Sequence, residues 1–103
     1  MAEDIVDSIS DPEDPPYELR LFVTGATANS VRAISHIKAI CETYLNGNYS
    51  LEIIDVYQQR EIAEIEQIIA LPLLIKTRPL PYKRMIGDMS DTAKVLRGLG
   101  ISS

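Results

Sequence analysis

The stretch "GATANSVRAISHI", residues 25 to 37, decides how the rest of the chain is read. It follows Leu19-Arg20-Leu21-Phe22-Val23, where Leu19, Leu21 and Val23 alternate as one face of a short strand. Gly25 suits the turn that comes next. Asn29 or Ser30 can cap a helix by accepting a free backbone N–H. Beyond them Val31, Ile34, Ile37, Cys41, Tyr44 and Leu45 recur at three- and four-residue steps and make one apolar helical stripe. Arg32, Ser35, His36, Glu42 and Thr43 make the opposite face. Gly47 in "NGN", residues 46–48, suits a left-handed helix end. Small thiol redox proteins carry a Cys-x-x-Cys pair in such a strand–turn–helix. Here that turn reads Thr27-Ala28-Asn29-Ser30 and holds no thiol.

Working outward, "YSLEIIDV" (49–56) is a second strand. Leu51 and Ile53 alternate with Glu52, while Ile54 and Val56 supply a second apolar face. Apolar residues on both faces predict an interior parallel strand, and the helix between the two strands makes a βαβ unit. "QQREIAEIEQIIA" (58–70) predicts a helix with Ile62, Ile65, Ile68 and Ile69 on its stripe. Leu71-Pro72 then leads into "LLIK", "RPLP" into "YKRMIG", and Ser90 can cap a last helix, "DTAKVLRGL", with Ala93, Leu96 and Leu99 inward. The expected strands are 18–24, 49–56, 72–77 and 82–87, and the expected helices 29–46, 58–69 and 90–99. The order β-α-β-α-β-β-α is the α/β thioredoxin-like layout, which commonly holds a cis proline before its third strand; Leu71-Pro72 is expected to be that bond.

The chain of 103 residues fits one domain. One cysteine allows no internal disulfide, and one cysteine with one histidine gives no zinc-ligand spacing. The longest apolar run, Ile68 to Ile75, is broken by Pro72 and falls short of the roughly 20 residues of a membrane span. "MAEDIVDSIS" lacks the basic and apolar regions of a secretory signal, so a cytoplasmic location is expected. The net charge of −5 is uneven. Residues 1–16 hold six carboxylates and no Lys or Arg and end in "DPEDPP", which reads as a disordered acidic arm ahead of a single domain at 17–103. Residues 71–103 carry Lys76, Arg78, Lys83, Arg84, Lys94 and Arg97 against Asp88 and Asp91. That basic third suits an acidic protein surface. It is too small and too poor in interleaved aromatics for nucleic acid.

The residue types of catalysis are sparse. Cys41 lies on the apolar stripe, where a core cysteine is expected, because a reactive thiol needs exposure and a cationic neighbourhood. His36 lies on the polar face with no nucleophile or acid spaced to work with it. Asp88 and Asp91 flank a helix start and suit its dipole. No glycine-rich phosphate loop is present. These features favour a non-enzymatic protein without cofactor or metal; the alternative on this fold is a thiol- or peroxide-handling enzyme acting through Cys41.

The segments "LFVTGATANSVRA", "LEIIDV", "ALPLLIK" and "LPYKRMIGDMSDTAKVLRGL" make the chain, from about residue 19 to 99, similar to the KaiB family of bacterial circadian-clock proteins. The resemblance implies a partner-switching adaptor that binds the KaiC ATPase hexamer and regulates its phosphorylation cycle. It also implies sequestration of KaiA where that protein is present, and competition with a thioredoxin-like domain of a sensor histidine kinase. Arg32, Lys76, Lys83 and Arg84 stand where the family carries functional basic residues and are the implied partner contacts. No nucleic acid or membrane is implied. A related reading is a stress-response or signalling adaptor, docking on a sensor histidine kinase or a KaiC-like ATPase without a true clock.

The resemblance further implies two folds for one sequence. One is thioredoxin-like; the other is tetrameric, with the order β-α-β-β-α-α-β. Pro72, Pro79, Pro81, Gly98 and Gly100 are the candidate switch positions. An X-Pro bond prefers trans by only about 0.5–1 kcal/mol. The thioredoxin-like monomer is expected to dominate, with the tetramer as a minor or alternative state. The family often has an acidic residue after the final Gly-Leu, where this chain has Gly100. A strand built from "VLRGLGISS" would hold two glycines, which weaken it, whereas a helix ending near Gly98 or Gly100 uses glycine well.

Overall fold

The structure is a computed structural model and describes residues 16–68 and 70–101. The expected arm therefore lies outside the described residues except for Pro16, as do the last two serines and Ile69 of the expected second-helix stripe. The elements run β1 (Tyr17–Val23), α1 (Ala28–Leu45), β2 (Tyr49–Asp55), α2 (Arg60–Ile65), β3 (Leu73–Arg78), β4 (Lys83–Ile86) and α3 (Thr92–Leu99). This is the element order read from the sequence.

The strands form one mixed sheet in the order β2-β1-β3-β4. β1 runs parallel to β2, from Tyr17 opposite Tyr49 to Val23 opposite Asp55. It is antiparallel to β3, and β3 is antiparallel to β4. The two-residue period of a strand divides the interior in two. Leu19, Leu21, Val23, Leu74 and Met85 pack with Ala33, Ile37, Ile40, Cys41 and Leu45 of α1 and with Val95, Leu96 and Leu99 of α3. Phe22, Ile54, Val56, Leu73 and Ile75 form a smaller core on the opposite face, against which Ile62 and Ala63 of α2 pack, with Ile68 and Leu71 beyond it.

Several expectations are corrected. β2 is an edge strand, not an interior one, because β1 takes the centre and receives β3 on its far side. Ile53 is accordingly 37% exposed. The buried line of α1 is Ser30, Ala33, Ile37, Ile40, Cys41 and Leu45, which leaves Val31 and Tyr44 exposed. Its cap is Thr27, whose Oγ1 accepts from the Ser30 N–H at 3.2 Å. Ser30 is instead buried, its Oγ accepting from the Thr24 N–H. The left-handed helix end falls on Asn46, with Gly47 also at positive φ.

α2 spans Arg60–Ile65 rather than 58–69, and Ile65 is 77% exposed. The Ile68 N–H reaches back to the Ala63 carbonyl and Gln67 adopts φ +56, so the chain leaves the helical path there. Asp91, not Ser90, caps α3, accepting from the Lys94 N–H. Val95 takes the inward place expected of Ala93. Gly100 forms the left-handed end of α3, as expected, at φ +79. Gly98 lies inside that helix, where an added Cβ would run into the Met85 sulfur. The Leu71-Pro72 bond is cis, as are Arg78-Pro79 and Leu80-Pro81. Among the described residues no helix is long and apolar enough to cross a membrane.

Candidate partner-binding surface

The turn between β1 and α1, where a redox pair would sit, is closed by hydroxyl groups. The Thr27 hydroxyl donates to Ser30 Oγ at 2.8 Å, and Thr24 and Thr27 face each other at 3.4 Å. Cys41 lies far along α1, fully buried as expected. Burial, reinforced by the neighbouring Glu42 carboxylate, pushes its thiol up to about 12. A thiolate is the reactive species, so this sulfur is inert at neutral pH. Among the described residues no group of His, Cys, Asp and Glu could hold a metal ion.

Arg32 projects from the first turn of α1 and meets the loop after β4. Its Nε donates to Asp88 Oδ2 at 3.3 Å, and its Nη2 donates to Asn29 Oδ1. His36, one helical turn on, donates from Nδ1 to the Asp88 carbonyl at 2.8 Å, the tautomer that a carbonyl acceptor requires. Asp88 Oδ1 also accepts from the Ser90 N–H. The Ser90 hydrogen bonds, helped by Arg32 and by His36, hold the Asp88 carboxyl below the ordinary carboxylate range. The loop from Gly87 to Ser90 is thus tied to the start of α1, and Arg32 stays exposed at that junction.

On β4, alternation sends neighbouring basic side chains to opposite faces of the sheet. Lys83 stands opposite Lys76 on the side of α1 and α3. Arg84 stands opposite Ile75 on the side of α2. Its Nη2 donates to the Glu66 carbonyl at 3.1 Å and its Nη1 to the Tyr82 hydroxyl at 3.2 Å. With Glu66, Gln67, Ala70, Leu73 and Ile86 it lines an open groove of about 360 Å³. Ile86 is 54% exposed there, because the short α2 does not extend over β4. Glu66 is itself fixed by Arg20 at 3.1 Å, and Arg20 also meets Glu52 at 3.4 Å.

Lys76 departs from its expected place at the surface. It is 2% exposed, because it shares the inward face of β3 with Leu74. Its ammonium lies 6.0 Å from the centre of the Tyr17 ring. Burial, and the nearby Lys83 charge, lower its pKa. The four sequence-predicted contacts therefore do not converge: Arg32 and Arg84 engage different partners, Lys83 faces away from Arg84, and Lys76 is covered. Glu66, Tyr82 and Ile86 were missed. Alternation within "YKRMI" does place Tyr82, Arg84 and Ile86 on one face, but not the groove, whose far wall comes from the end of α2.

The KaiB domain family model matches residues 20–101. The circadian clock oscillator protein KaiB of Synechococcus elongatus is 48% identical over 85 residues, covering 82% of this chain and 83% of that protein. The circadian clock protein KaiB3 of Synechocystis is 51% identical over 83 residues, covering 81% of each. The solution structure of the N-terminal domain of Synechococcus elongatus SasA superposes with a TM-score of 0.67 at 24% identity, covering 82% of this chain and 84% of that one. The germline-specific thioredoxin Deadhead of Drosophila melanogaster gives 0.67 at 17% identity, covering 94% and 90%. Those two likenesses show a thioredoxin-like fold, and the match to the family over most of its length shows that the chain belongs to the KaiB family.

Proposed function

We propose that this protein is a non-enzymatic clock adaptor that binds the ring of a KaiC-type ATPase hexamer through its thioredoxin-like form. By that contact it regulates the ATPase's phosphorylation cycle in the cytoplasm and sequesters KaiA where that protein is present. The observation that carries the reading is the identity to clock KaiB proteins over four-fifths of the chain. The buried Cys41 and the thiol-free turn support a binding role over thiol chemistry. Arg32, Lys83 and Arg84 are the exposed candidate contacts. Lys76 joins them only where its cover is displaced. A shared fold with the SasA domain supports competition for one docking place with a thioredoxin-like domain of a sensor kinase.

The segment from Pro72 to Gly100 is proposed to have a second, tetrameric packing, with the monomer dominant. Two packings of one sequence need differ by only a few kcal/mol. Pro72, Pro79, Pro81, Gly98 and Gly100 are its candidate switch positions.

Co-sedimentation with a KaiC-type hexamer and ATP tests the adaptor reading. Binding at micromolar concentration is expected, and Arg84→Ala should weaken it about tenfold or more if that arginine is a central contact. No ATP-dependent association at that concentration would reject the proposal. Thiol turnover abolished by Cys41→Ser would favour the enzymatic alternative.

A further inference from the structure

β4 is the outer strand of the sheet at the end away from β2, so one row of its backbone groups faces no other strand of the sheet. The register says which row. The Gly87 N–H donates to the Pro72 carbonyl at 3.0 Å, and the pairs Ile86–Leu73, Met85–Leu74, Arg84–Ile75 and Lys83–Lys76 follow in step. Hydrogen-bonded and non-hydrogen-bonded pairs alternate along an antiparallel ladder. Met85 and Lys83 therefore turn their N–H and C=O groups toward β3, while Arg84 and Ile86 turn theirs to the open edge. Such a row is a template for one more strand.

The side chains of the same two residues stand ready as well. Ile86 is 54% exposed beside the groove of about 360 Å³. Arg84 donates to the Glu66 carbonyl and the Tyr82 hydroxyl, and no ion pair among the described residues includes it. The carboxylate on the groove wall, Glu66, is held by Arg20 at 3.1 Å. Arg84 and Ile86 lie two residues apart on one face, so an added strand sets one side chain on the guanidinium and another, two residues away, on the isoleucine. Lys83 adds a second exposed cation on the opposite face.

Charge selects the occupant. Two β4 strands side by side bring Lys83 and Arg84 of each copy together, and like charges directly opposite are destabilising. Basic residues on an edge strand thus guard it against copies of the same chain. They do not guard it against a strand that carries carboxylates.

We propose that the open edge of β4 takes an extended acidic segment of another protein as a fifth strand of the sheet, with a carboxylate on Arg84 and an apolar side chain two residues away on Ile86. The backbone bonds at Arg84 and Ile86 give affinity, and the two side-chain positions give selectivity. This deepens the assignment of Arg84 as a partner contact, and it rests on the adaptor reading only for which protein supplies the segment.

The probe is the peptide acetyl-Thr-Val-Thr-Glu-Thr-Val-Thr-amide, which presents Val, Glu and Val on one face in either strand direction. It is titrated to millimolar concentration into the isotope-labelled full chain and followed by NMR. Saturable shifts centred on Arg84 and Ile86 are expected, with hydrogen exchange of those two amides slowed several-fold and that of Lys83 and Met85 little changed. A central Gln should weaken binding several-fold and a central Lys should abolish it, while Arg84→Glu should reverse that order. Ile86→Pro removes an outward N–H that an edge strand can spare, and should lose the binding with Arg84 still in place. Binding without protection of the two amides overturns the added strand. Equal binding of the Glu and Lys peptides overturns the acidic segment, and no binding overturns both. Self-association of the free chain that Arg84→Glu relieves overturns the choice of occupant. Co-sedimentation with a KaiC-type hexamer reads the adaptor separately: its failure beside a bound peptide would reject that reading and leave the β4 edge standing.

Discussion

The first half of the molecule and the second are built on different terms. β1, α1 and β2 form a unit with an 18-residue helix that buries six side chains, beside a strand with four buried positions. Beyond β2, α2 has six residues and buries none, β4 has four and buries one, and α3 has eight. Only β3 in that half is deeply interior. The second half is held to the first by the β1–β3 ladder and by long-range polar ties: Tyr17 to the Leu99 carbonyl, Arg32 and His36 to Asp88, and Arg20 to Glu66. The first half is specified by its own periodicity; the second is specified by what it docks on. Short elements with few buried contacts open most readily, and these are the elements of the proposed switch.

The largest effect is expected from Phe22→Ala, which empties the centre of the smaller core and should cost about 3–5 kcal/mol in denaturant unfolding. Leu99→Ala should cost about 2–5 kcal/mol, and hydrogen exchange should locate the damage. Amides of β4 and α3 are expected to lose protection before those of α1. Equal loss in α1 would break the contrast between the halves.

Removing the α3 cap by Asp91→Ala should cost about 1 kcal/mol, again with the exchange confined to α3. Ile65→Ala sharpens the picture from the other side. It lies on an exposed helix face, so a change within about 0.5 kcal/mol is expected; a larger loss would mean that the helix is held by something outside the described residues.

The smallest effect concerns acid. Asp88 has a depressed pKa in the folded state, so its contribution is present above the ordinary carboxylate range and is lost as pH falls through the depressed value. The thermal midpoint of Asp88→Asn should therefore vary less with pH across the acid range than that of wild type. Identical profiles would mean that the loop after β4 is not tied to α1 through this carboxylate.

Much of this is legible in the sequence alone. The strand–turn–helix at residues 17–45, the order of all seven elements, the buried Cys41 and the glycine end of α3 follow from local periodicity and local backbone preference. Each is a property of a few neighbouring residues. The candidate site was only partly legible: Arg32, Lys83 and Arg84 are exposed basic residues as expected, but their separate positions and the groove beside Arg84 are not written in any one segment.

Tertiary structure decided the rest, because burial depends on which element covers a face. β2 reads as an interior strand on composition, yet β1 took the centre of the sheet and left it at the edge. Isoleucines at 62, 65 and 68 read as one stripe, yet the helix ends at Ile65 and turns that side chain to solvent. Lys76 shows the point most sharply. A lysine in sequence is a surface charge by default, and only the pairing of β3 between β1 and β4, with the face of Leu74 turned inward, placed its ammonium under cover beside Tyr17.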